Sequence, residues 1–146
     1  MRYSLLFSIL ILFLFSCKKS KFSSVPSLTF KSANTHLVNR GDVLIMTLSF
    51  TDAEGDLTDS LFIQEKVLNC AVGGFAKDIR ALPVFNTTKN QEGEILVSYG
   101  YNNNYPSPLP NPQCNRNDTA IFRFVLKDKA QHKSDTAVSD KIVILK

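Results

Sequence analysis

Val43-Leu44-Ile45-Met46-Thr47-Leu48-Ser49-Phe50-Thr51 alternates with a period of two. Leu44, Met46, Leu48 and Phe50 fall on one face; Val43, Ile45, Thr47 and Ser49 fall on the other. Successive side chains of a strand point to opposite sides, so this stretch predicts a strand with one face reserved for a core. The same rhythm recurs on either side. Leu28-Thr29-Phe30 predicts a brief first strand, followed by Asn-rich punctuation as far as Gly41-Asp42. Leu61 to Leu68 alternates less cleanly and leaves a helical turn open. Ala81 to Phe85 and Glu94 to Tyr101 are further strand candidates, the second with Ile95, Val97 and Tyr99 on one face. Ala120 to Leu126 sets Ala120, Phe122, Phe124 and Leu126 together, and Ile142 to Leu145 closes the chain with a strand beginning near Thr136. Between them, Tyr101 to Asp118 carries four prolines, many asparagines and Cys114, a composition that predicts a long loop. No convincing amphipathic helix interrupts the pattern. Short strands at regular spacing with turns between them predict an all-β protein, a single antiparallel β-sandwich.

The N-terminus follows a different rule. Arg2 precedes an apolar run, Leu5 to Phe15, broken only by Ser8. As a helix its 11 residues would reach about 16 Å, short of a bilayer core of about 30 Å, so it predicts a cleaved leader rather than a membrane span. An ordinary signal peptide needs an Ala-x-Ala-like cleavage site, which is missing here. Leu14-Phe15-Ser16-Cys17 instead resembles a lipobox, and the bulky Phe15 is a departure common in lipoproteins of the Bacteroidota. The resemblance implies cleavage before Cys17, a diacylglycerylated Cys17 thiol and attachment to a membrane by several acyl chains. One chain alone anchors only marginally. The expected organisation is a lipoprotein signal peptide at 1–16, a lipidated N-terminus and tether at 17–27, and one folded domain at 28–146.

Charge supports this division. The net charge of +4 comes from 17 basic and 13 acidic residues. Arg2, Lys18, Lys19 and Lys21 lie in leader or tether, and every acidic residue lies at or after Asp42. The segment from Leu28 to Lys146 is neutral, with 13 basic and 13 acidic residues in 119. A nucleic-acid partner is not expected; Lys18, Lys19 and Lys21 sit where anionic headgroups would be. With Cys17 lipidated, two of the three cysteines remain. In an oxidising envelope Cys70 and Cys114 are expected to form a disulfide, the alternatives being two buried thiols or a metal pair.

The folded segment has a resemblance of its own. Phe50-Thr51-Asp52-Ala53-Glu54-Gly55-Asp56-Leu57 is similar to the F-x-D-x-x-G-D-L signature of immunoglobulin-like domains in Bacteroidota envelope lipoproteins. Asp118 to Phe124 and Leu126-Lys127-Asp128-Lys129-Ala130 resemble their penultimate strand and its D-x-A-G-N turn, with Gln131-His132 replacing Gly-Asn. The resemblance implies an immunoglobulin-like sandwich and no assigned activity.

Candidate sites follow from residue chemistry. Asp52, Glu54 and Asp56, spaced around Gly55, can converge on a hard cation such as calcium, with Asp128 completing the shell as distant carboxylates do in cadherin-like domains. The alternative is a solvated turn whose aspartates cap backbone amides while Gly55 takes positive φ. Tyr99, Tyr101 and Tyr105 beside Asn102 to Asn104 offer a glycan- or protein-binding patch, unless Tyr99 packs inward. Ser60, Thr119 and Thr136 each follow an Asp and precede a small or apolar residue, matching a Bacteroidota O-glycosylation pattern. His36 and His132 lie in no nucleophile or metal motif, and Glu92 and Glu94 share one strand edge without forming an acid/base pair.

These residues predict a non-enzymatic, lipid-anchored envelope protein serving as a structural or binding module, with no cofactor unless calcium binds. The alternatives are a glycan-binding accessory lipoprotein using the Tyr99 to Tyr105 region and, less favoured, a small envelope hydrolase. Its partners would be the membrane, through its lipid, and an envelope protein or glycan. Surface-export signals in this bacterial group place acidic residues after the lipidated cysteine. Lys18-Lys19-Ser20-Lys21 departs from that, which predicts an outer-membrane lipoprotein facing the periplasm.

Overall fold

The computed structural model describes residues 21–57, 59–70, 76–84 and 88–146. The expected leader and Cys17 lie outside them. Among the described residues no helix is long and apolar enough to cross a membrane.

The organising strand is β3 (Val43–Asp52). Leu44, Met46 and Leu48 are wholly buried and Phe50 nearly so, as the alternation predicts. It is the middle of a three-stranded sheet, antiparallel to β1 (Ser27–Ala33) on one side and β6 (Gln91–Gly100) on the other. A second sheet runs in the order β2 (Leu37–Val38), β9 (Ile142–Ile144), β7 (Asp118–Lys127), β4 (Ser60–Val67) and β5 (Ala76–Ala81), with β8 (Ala137–Val138) paired to β7. The inward faces of both sheets contribute to one apolar cluster, in which Leu44, Met46 and Leu48 join Leu61, Phe122, Phe124 and Ile144. Tyr99 of β6 meets Phe122 of β7 with ring centroids 6.0 Å apart, a contact from one sheet to the other. Each fully buried large apolar side chain contributes about 1.5–3 kcal/mol, so this shared cluster is what holds the sheets together.

Leu61 to Leu68, open in sequence between strand and helical turn, is strand through Val67: β4 is an inner strand flanked by β5 and β7. Three sequence expectations need correction. The strand expected from Ala81 ends there instead, since β5 spans Ala76–Ala81. Pro83 has no N–H to donate to a ladder, and Val84 is 89% exposed. The closing strand from Thr136 is two short strands, β8 and β9, on one edge of β7. Finally, the second sheet is mixed rather than antiparallel: β2, read as punctuation from sequence, pairs in parallel with β9.

Asp118 opens β7, and the connection from Tyr101 to Asn117 contains no strand, as expected. It is nonetheless tied down by Gly100, whose N–H bonds the Ser107 carbonyl and whose carbonyl accepts from Leu109. Leu109 is buried. Cys70 and Cys114 are joined in a disulfide, with their Cα atoms 5.9 Å apart.

Candidate functional site

Asp52 is the last residue of β3 and continues its core-facing stripe, which is why a carboxylate ends fully buried. Its Oδ2 accepts the backbone N–H of Gly55 at 2.5 Å and of Asp56 at 3.3 Å, closing a turn of the kind aspartates favour. Gly55 sits at φ +70°, and a Cβ there would lie 2.1 Å from the Thr88 carbonyl oxygen, so only glycine fits. The Lys129 N–H donates to the Asp56 carbonyl at 3.2 Å, docking the turn after β7 against the turn after β3. That contact brings in Asp128, also fully buried. One oxygen from each of Asp52, Asp56 and Asp128 lies within 4.8 Å of the others. Burial raises the Asp52 carboxyl above its ordinary range, and the charges of Asp56 and Asp128 add to the effect, while the Gly55 and Asp56 amides oppose it.

The expected quartet is therefore a trio. Glu54 is exposed and outside the cluster, because the tight turn at Gly55 directs Asp52 and Asp56 inward but leaves Glu54 at its tip. Two residues were missed from sequence. Gln91 stands directly opposite Asp52 in the β3–β6 register. His132 donates its N–H to Asp128 Oδ1 at 2.7 Å and places Nδ1 3.0 Å from Oδ2. Asp59, the next carboxylate along, is neutralised separately. It accepts from Ser60 and pairs with Lys127 at 3.2 Å, and the two hold it below its ordinary range.

The opposite end holds a different constellation. A cavity of about 320 Å³ opens beside Glu65, lined also by Asp78, Tyr99, Pro106, Pro108 and Phe122. Glu65 is 5% exposed, and burial pushes its carboxyl up to about 7, with the Asp118 charge adding to the effect. Tyr99 donates to Asp78 Oδ2 at 3.0 Å beneath the Arg80 guanidinium, which lies 4.4 Å from the ring centroid. Burial works against the Asp78 charge, yet the bonds from Arg80 and Tyr99 keep that carboxyl low. Nothing in the period-two reading marks this site, since its members come from β4, β5, β6 and the proline loop.

The tyrosines do not form one patch. Tyr101 is wholly buried and its hydroxyl donates to the Leu145 carbonyl, so it belongs to the core. Tyr99 walls the cavity, and Tyr105 is surface-exposed with its hydroxyl bonded to Ser98 at 2.7 Å. Among the glycosylation candidates, Thr136 is exposed, whereas Ser60 and Thr119 are half-buried within ladders of β4 and β7. Glu92 and Glu94 are ion-paired to Lys21 and Lys31 on the outer face. His36 lies 3.5 Å from Asp140 at the surface.

The chain matches no protein-family model and no curated protein. Among solved structures it is similar to the sporulation control protein Spo0M of Bacillus subtilis, with 10% identity and a TM-score of 0.46 over 85% of this chain and 51% of that one. It is also similar to a β-glucosidase from Listeria innocua, solved in complex with gluconolactone, with 12% identity and a TM-score of 0.46 over 88% of this chain and 17% of that one. The chain thus spans about half the length of the first and a sixth of the second.

Proposed function

We propose that this is a lipid-anchored cell-envelope protein whose folded part is an immunoglobulin-like β-sandwich, acting as a non-enzymatic structural or binding module. One observation carries the anchor. Cys70 and Cys114 are bonded to each other, which leaves Cys17, beside its lipobox-like Leu14-Phe15-Ser16, as the one cysteine free to carry lipid. The strand order supports the fold: β1-β3-β6 against β9-β7-β4 follows the A-B-E and G-F-C order of such sandwiches. The disulfide departs from the usual pattern, since it joins the end of β4 to the β6–β7 connection rather than one sheet to the other. Mass spectrometry of the mature protein tests the anchor. A diacylglyceryl-modified N-terminal Cys17 is expected, and an N-terminus upstream of it, or an unmodified thiol, sinks the proposal.

The cavity favours one second reading, a glycan-binding accessory role. Tyr99 and the prolines supply rigid apolar walls, and Glu65, Asp78 and Lys77 supply polar groups, the mix that sugar-sized pockets use. A glycan array with the wild-type protein and Glu65→Gln and Tyr105→Ala variants separates the readings. Binding that Glu65→Gln weakens supports the cavity, and a blank array with wild-type protein removes this reading.

A further inference from the structure

We propose that Asp52, Asp56 and Asp128, joined by Gln91, form a calcium site that ties the turn after β3 to the turn after β7. Among the described residues four buried side-chain oxygens have no hydrogen-bond partner, and three of them gather at this one end: Asp52 Oδ1, Asp56 Oδ1 and Gln91 Oε1. Asp52 is wholly buried, so its orphan oxygen has no bulk water to turn to. Buried polar atoms ordinarily find partners, and unpaired acceptors on clustered carboxylates, with Gln91 directly across the ladder from Asp52, call for something that accepts electron pairs.

The chemistry selects the partner. Lys127 is engaged by Asp59, and among the described residues no Lys or Arg ion-pairs with Asp52, Asp56 or Asp128. A single proton shared between Asp52 and Asp56 would relieve those two oxygens and leave Gln91 Oε1 unpaired. A divalent cation relieves all of them together and offsets the three carboxylate charges that burial otherwise sets against each other. The donors are all oxygen, which excludes a thiolate- or imidazole-seeking metal; His132 already spends Nδ1 on Asp128. That bond has a use. It fixes the Asp128 carboxylate while each oxygen keeps a further lone pair for a ligand, as outer-shell partners do in metal sites. Calcium accepts six to eight oxygens in irregular geometry, with waters filling the remaining positions. Magnesium demands a near-ideal octahedron that ligands drawn from β6 and two separate turns do not prearrange.

The test uses the full chain, solubilised in detergent and stripped with EGTA. Calorimetric titration with CaCl2, and terbium luminescence as a second probe, should show one ion per chain with Kd of about 1 mM or tighter, as in extracellular modules. The melting temperature should rise with calcium. Magnesium should require at least about tenfold more. Asp56→Asn is the primary variant because Asp56 is only half-buried, and its far-ultraviolet spectrum checks that the strands persist. It should weaken calcium binding at least about tenfold, whereas Glu54→Gln should bind as wild type. The proposal is overturned if the wild-type protein shows neither binding nor a thermal shift at about 10 mM calcium. It is equally overturned if Asp56→Asn binds unchanged, or if magnesium serves as well. None of these readouts depends on whether Cys17 carries lipid.

Discussion

At the end of the molecule where β3 stops, Asp52, Asp56 and Gln91 carry unpaired oxygens beside the His132-bonded carboxylate of Asp128; at the other end, Glu65 and Asp118 share a region closed by a disulfide and a proline loop. Both ends bury negative charge, but they relieve it differently. Glu65 has a high proton affinity and sits beside a cavity, so titration can remove its charge. Asp118 keeps Oδ2 satisfied by the Gln113 N–H at 2.9 Å. The Asp52 end instead holds its carboxylates in place through backbone amides and His132, although at Asp52 burial outweighs the amides and raises the carboxyl. Backbone donors favour the charged carboxylate, while burial without donors favours the neutral acid.

The largest expected effect breaks the second end. Replacing Cys70 and Cys114 with serine opens a loop of sequence separation 44, which should lower stability by about 4 kcal/mol in a denaturant titration. In that variant the Glu65 titration followed by NMR should move back towards its ordinary 4.5, because its burial depends on the pinned loop. Should the Glu65 value stay near 7, the loop is not what buries it.

Glu65→Gln should sharpen the same comparison through pH. Below about pH 4.5 the wild-type carboxyl is protonated whether folded or unfolded and contributes no pH dependence. As pH rises from about 4.5 to about 7 the unfolded chain ionises while the native carboxyl stays protonated, so the native state loses about 3 kcal/mol by pH 7 and no more above it. The variant should lack that fall; equal slopes for both proteins between pH 5 and about 8 would refute the assignment. A smaller loss, about 1–2 kcal/mol, is expected for Tyr101→Phe, which leaves the Leu145 carbonyl without its donor. Urea midpoints measure it, and no change would mean that water replaces the hydroxyl.

The smallest effect, of opposite sign, lies at the acidic end. Gln131 adopts φ +72° in the turn that holds Asp128, a conformation that costs a residue with a Cβ about 1 kcal/mol. Gln131→Gly should therefore raise stability by up to about 1 kcal/mol in the same urea titration. A loss instead would mean that its amide, 3.3 Å from Asp59, matters more than the backbone.

The strands of the core were legible in the sequence wherever alternation was clean, as in β3, β6 and β7, because the pleat imposes its period locally. Leu61 to Leu68 was ambiguous for the complementary reason: Glu65 is buried there, so polar and apolar positions no longer separate by face. The boundaries of β5 and the split into β8 and β9 depend on which partner edge is free, and β2 is a two-residue strand made only by its parallel partner β9. At the acidic end, Asp52 and Asp56 could be read from their spacing around Gly55. The arrival of Gln91 could not, since it depends on the β3–β6 register; the exclusion of Glu54 and the four-residue contact of His132 with Asp128 turn on local backbone geometry that spacing alone does not show.

The sequence by itself therefore determined the period-two faces, the turn at Gly55 and the expectation of a leader ending just before Cys17, all set by neighbours along the chain. It also left Cys70 and Cys114 as the pair to be bridged. Only the tertiary structure decided which carboxylates share one site, which tyrosine is core, and that a buried Glu65 faces a cavity. Those outcomes arise where β3, β4, β6 and β7 are brought side by side, and local sequence carries no measure of that distance.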